Sequence, residues 1–346
     1  MNTTAEKLFD LIEKGVSPYQ VVEEAEKRLK EAGFEKLEFQ DKLSYSIFEC
    51  LLYSLINDYK KQVELKYNFI QTTIHTHGLN TSPLLNLKTA KDNKNFCIDF
   101  LRQRIEPNKF RVVIKKDVPD KYFSILYTNV AGFLNNIFLE NEDYINDLAE
   151  VIVELVGNAC EHAQTDCLLD IDVNKQFYKK DDPNGIKYGG INVVVLNFSD
   201  KLLGENLKSK CQKDEYMKNR YKGVLEAYNV HKDFFHEKFN YDEEKFYLIG
   251  TLQDKISGRL EDTSSGGTGL TKLLQSLQKQ STEDFCYLLS GENVFKLQYE
   301  YINRNDGNWV GFNCSGDFIN DVPNFELFSL CEIFFPGTAY NLTFII

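Results

Sequence analysis

Residues 151–166 read VIVELVGNACEHAQTD, and the fold turns on which way this stretch faces. At about 100° per residue, Asp147, Glu150, Glu154, Asn158 and Glu161 share one stripe roughly 80° wide. Apolar residues, among them Ile152, Leu155, Val156 and Ala159, fill most of the remaining circumference. An amphipathic helix with its polar line in water is one reading. A solvent face is usually wider and contains lysine, and this stripe contains none. Gly157, beside the stripe, costs about 1 kcal/mol relative to alanine in mid-helix. The second reading is therefore a helix that a ligand or another backbone approaches closely.

Upstream, residues 5–33 hold two helical patterns, the second opened by Ser17-Pro18 and closed by Gly33. A longer helix is expected over 42–71, a polar loop over 72–86 and a helix around 87–104. FRVVIKK, at 110–116, reads as a strand, and one or two helices fill 120–164. Downstream the texture changes. CLLDIDV reads as a strand, and INVVVLNFS as an apolar, β-branched strand. Residues 201–262 are charged and helical, and FCYLLSG, VFKLQYEY, NWVGFNC and TAYNLTFII then alternate like strands of an antiparallel sheet.

Composition narrows the function classes. The chain has 346 residues, 42% hydrophobic and 27% charged, as a globular protein does. Its net charge of −12 disfavours broad electrostatic binding to nucleic acid. The sequence has no run of eighteen apolar residues and no basic-then-apolar leader, so no membrane span or signal peptide is expected. Eight scattered cysteines without a CxxC pair fit reduced thiols in the cytoplasm. His75 and His77, and His231 and His236, lack accompanying ligands at metal spacing. The sequence contains no GxSxG elbow and no GxxxxGK[ST] loop.

A second stretch bears on the first. SSGGTGLTKLLQSL, at 264–277, sets Gly266, Gly267 and Gly269 before an amphipathic helix. Glycines there leave N–H groups uncovered at a helix N-terminus, where phosphate binds well. The order is an acidic ExxxN helix, an apolar strand, a long insert, GGTGL and a final PGTAYNLTF. Over residues 105–346 this order resembles the GHKL ATP-binding superfamily of gyrase, heat-shock-ninety chaperones, sensor histidine kinases and MutL proteins.

The resemblance implies an α+β fold of Bergerat type. That is a two-layer sandwich with a mixed, mainly antiparallel sheet covered by helices. A helical region at 1–104 would precede a nucleotide domain at 105–346 with its lid around 201–262. It implies ATP and Mg²⁺ as cofactors, Asn158 holding the metal and Glu154 activating water. Glu161 falls in the EHA ending seen in sensor-kinase-like members, and His162 beside it also reads as an interior histidine. Gly266, Gly267, Thr268, Gly269 and Leu270 match the phosphate loop, with Thr271 where a further glycine often stands. The family's adenine-binding aspartate has two counterparts here: Asn197 without a gap, or Asp200 with a longer turn.

Three functions follow: a slow ATPase that switches conformation or dimerises, a serine kinase of the anti-sigma-factor type, or a nucleotide-sensing adaptor. Each would use a protein partner at the N-terminal region or lid. Regulation, stress response and defence all suit such a protein.

Overall fold

The computed structural model describes residues 41–65, 74–178, 187–212, 221–253, 286–302 and 309–346. The glycine stretch with Gly266, Gly267, Thr268, Gly269 and Leu270 lies outside the described residues, as does the side chain of Glu161.

Helix α1 spans Lys42–Asn57, and the Asp41 carboxylate caps it by accepting from the Ser44 N–H. Helix α2, Asn93–Leu101, follows three described 3₁₀ segments and leads into β1, Arg104–Glu106, and β2, Lys109–Ile114. Helices α3, Lys121–Asn135, and α4, Glu142–Asn158, form an adjoining pair. Strands β3, Cys167–Tyr178, and β4, Lys187–Phe198, come next. Three short helices then occupy the long insert: α5, Glu205–Cys211, α6, Lys222–His231, and α7, Glu243–Thr251. Strands β5, Tyr287–Lys296, and β6, Phe328–Ile345, complete the sheet. Its order is β1-β2-β3-β4-β6-β5, and every described pairing is antiparallel.

Strand alternation assigns the faces. On β3, Leu169 and Ile171 point to the layer of α3 and α4, as do Val193 and Val195 on β4. Leu168, Val194 and Leu196 point the other way, into a second core with α1 and α2. Helices therefore cover both faces of the sheet, where two layers were expected. The reason lies in INVVVL, an apolar run with hydrophobic side chains on both faces, which needs two covers.

Polar residues on the α1 side are covered as well. Asp170 and Asp172 on β3 stand beside Lys109 and Arg111 on β2, and α1 lays Lys42, Tyr45 and Glu49 over them. Lys109 Nζ lies 3.0 Å from Asp170 and 2.9 Å from Asp172, and Lys42 Nζ lies 2.8 Å from Asp170 and also reaches Asp172. Arg111 Nη1 sits 2.5 Å from both Glu49 and Asp170. Three cations thus face three carboxylates out of water. Burial opposes ionisation of Asp170, and the Lys109, Lys42 and Arg111 charges outweigh it, holding its carboxyl far below the usual range. Asp172 is lowered too, burial and Asp170 opposing, Lys109 and Lys42 prevailing.

Several expected elements take other forms. The helix beginning at Lys42 ends at Asn57 rather than near 71, and Lys60 turns left-handed at φ 55°. FCYLLSG and VFKLQYEY, expected as two strands, share the single strand β5, and a 3₁₀ turn follows at Tyr299–Tyr301. The described part of NWVGFNC, from Trp309 on, is a loop, not a strand. Phe312 has φ 54°, and the Asn313 amide donates to the carbonyls of Asp317, Asp321 and Val322, holding the chain in turns.

Candidate functional site

The polar stripe of α4 leaves water partway along its length. Asp147 and Glu150 are exposed, and one and two turns later Glu154 and Asn158 line a cavity of about 120 Å³ that opens to solvent. The stripe thus faces water over its first half and a cavity over its second. At Asn158 the α-helix gives way to one π turn, Ala159–Ala163, which ends on left-handed Gln164. The wide turn brings Ala159 and Ala163 to the cavity wall with no side chain beyond a methyl to fill it. Gly157 has a different setting from the one its cost implied. The nearest atom to a Cβ placed there is Phe123 Cε1 at 3.9 Å, so no neighbouring backbone demands glycine.

The sheet supplies the floor. Val195 and Asn197 on β4 and Thr338 and Tyr340 on β6 all point to the cavity side. Asn197 and Thr338 are cross-strand partners. Asn197 is buried, and its Nδ2 donates to Thr165 Oγ1 at 3.0 Å. Ser290 on β5 fixes Thr338 from beneath. Its hydroxyl donates to the Gly337 carbonyl at 3.0 Å, accepts from the Leu203 N–H at 3.0 Å, and lies 3.3 Å from Thr338 Oγ1.

The insert closes the remaining side. Gly204, at φ 99°, turns the chain against α7, where a Cβ would press on Leu248 N and the Tyr247 carbonyl carbon at 2.9 Å each. The turn delivers Lys201, Leu202 and Leu203 to the cavity, and α5 adds Asn206, Leu207 and Lys210. Gln253, after α7, is locked in place. Its amide donates to the Ile249 and Val310 carbonyls and accepts from the Val310 N–H at 2.7 Å.

Glu154, Asn158 and Asn197 therefore converge from α4 and β4 on one space. Asp200 does not join them; it is exposed and off the cavity wall. Lys201 and Lys210 were missed by sequence reasoning, because single lysines in a lysine-rich insert carry no periodic signal. Among the described residues, two lysines and one glutamate line the cavity. Lys201 Nζ lies 3.5 Å from Oε1 of Gln164, which follows the π turn. Asn158 and Glu154 offer oxygen donors of the kind Mg²⁺ prefers. His231 belongs to the aromatic core and His236 caps a 3₁₀ turn through the Lys238 N–H. Comparison with protein-family models, with curated proteins and with solved structures gave no match.

Proposed function

We propose that the chain is a Mg²⁺-dependent nucleotide triphosphate-binding protein of the GHKL type with a Bergerat-like fold. In this reading it hydrolyses ATP slowly and uses the nucleotide state to switch conformation or partner. The observation that carries the proposal is the cavity itself. Glu154 and Asn158 on one helix and Asn197 on a strand distant in sequence line the same space. Lys201 and Lys210, which also line it, supply positive charge for polyphosphate.

The residues divide the work. Asn158 would hold Mg²⁺ through its carbonyl oxygen, and the metal would neutralise phosphate charge there. Glu154, one turn away, accepts a proton from the attacking water. Lys201 and Lys210 neutralise phosphate oxygens. The sheet floor at Asn197 and Thr338 receives the base.

Calorimetry with Mg·ATP, paired with phosphate release, tests this. Asn158→Ala should lose binding that depends on Mg²⁺. Glu154→Gln should keep binding within about threefold and lose turnover by about a hundredfold or more. Unchanged Mg·ATP affinity in Asn158→Ala would remove the metal assignment.

A further inference from the structure

We infer that the base-binding floor accepts a 6-oxopurine as well as adenine, with Asn197 and Thr338 adapting to either. This rests on the nucleotide reading above. The inference starts from the side chain at 197, which is an amide. A carboxylate there could only accept hydrogen bonds, and so would demand the amino group of adenine. An amide presents one accepting and one donating end.

Which end faces the cavity depends on what holds the other. Here the holder is Thr165 Oγ1, 3.0 Å from the amide nitrogen. A hydroxyl both donates and accepts, so it satisfies either orientation of the amide. Turning the amide by 180° keeps the bond to Thr165 and presents Nδ2 to the ligand in place of Oδ1. The floor can therefore change polarity at Asn197 without losing a hydrogen bond.

Thr338 is as adaptable. Ser290 donates to the Gly337 carbonyl. The Thr338 hydroxyl, 3.3 Å from Ser290 Oγ, can donate to it and offer lone pairs to the cavity, or turn its own proton there. The floor is thus a donor or acceptor at both residues. A 6-oxopurine offers a proton at N1 and an acceptor at O6, and adenine an acceptor at N1 and a donor at its amino group; the floor can meet either pair.

The test uses the full chain with Mg·ATP and Mg·ITP, which differ only at position 6 and the N1 proton, read by calorimetry. ITP and ATP should bind within threefold of each other, and Asn197→Asp should shift the ratio at least tenfold toward ATP. Wild-type preference for ATP of more than threefold overturns the inference and leaves the nucleotide reading intact. An Asn197→Asp variant with an unchanged ATP-to-ITP ratio overturns the role of Asn197. Failure of both nucleotides to bind overturns both readings. The wild-type ratio decides the matter even if the variant does not fold.

Discussion

Asp170 shows how much one buried side chain can hold. Lys42, Lys109 and Arg111 all reach its oxygens, and none of the four is exposed to water. Asp170→Asn keeps the shape and leaves one uncompensated positive charge inside. The expected cost is about 3–5 kcal/mol, read from urea unfolding. Asn197 sits on the other side of the sheet and makes a contrasting case. Asn197→Ala removes its bond to Thr165 but strands no charge, so its stability loss should be about 1 kcal/mol. Its effect should fall on affinity for Mg·ATP, weakened about tenfold in calorimetry. Equal effects of the two substitutions on binding would undo the separation of structural from ligand-facing polar groups.

At the scale of elements, the junction of β4 and β6 is the tightest point near the cavity. Gly337, at φ 133°, lies against Asn197, and a Cβ there would overlap the Asn197 carbonyl oxygen. Gly337→Ala should prise the strands apart and lower both thermal midpoint and nucleotide affinity, whereas Gly157→Ala, with space around it, should lower neither. Much of this architecture is legible in the sequence. The 3.6 period of α4 and the β-branched runs of β3 and β4 declare themselves, and Glu154, Asn158 and Asn197 could be selected before their convergence was known. Other parts are not legible. CLLDIDV alternates as a half-exposed strand would, and nothing local to it says that α1, more than a hundred residues earlier, covers its aspartates. NWVGFNC has strand composition, but the side-chain amide of Asn313 outbids a ladder by binding three carbonyls. Lys201 and Lys210 gain meaning only from the turn at Gly204.

The whole molecule should respond to acid in two stages, one from each side of the sheet. His231 is buried, with Nε2 2.9 Å from the Phe318 carbonyl and Nδ1 2.6 Å from the Tyr241 hydroxyl. A carbonyl only accepts, so Nε2 carries the proton and Nδ1 accepts from the tyrosine. Burial lowers the pKa of His231. The unfolded chain therefore takes up this proton first, and stability present above about pH 6.5 is lost as pH falls toward the folded value. The second stage belongs to Asp170 and Asp172, whose folded pKa values are depressed. Their contribution is present above about pH 4 and disappears as pH falls through those values. Urea midpoints from pH 8 to 3 should show both slopes, and His231→Gln should flatten only the first. Among the described residues no helix is long and apolar enough to cross a membrane. The two stages share a single wall. In β3 the odd positions from Cys167 to Val173 serve the helices beside the cavity, and Asp170 and Asp172 serve α1. Adding one residue inside 167–173 would thrust both aspartates into the apolar layer and drop leucines among the lysines. During divergence, length changes within this strand should survive in even steps, or else be absorbed by the register shift already present between Asn174 and Phe177.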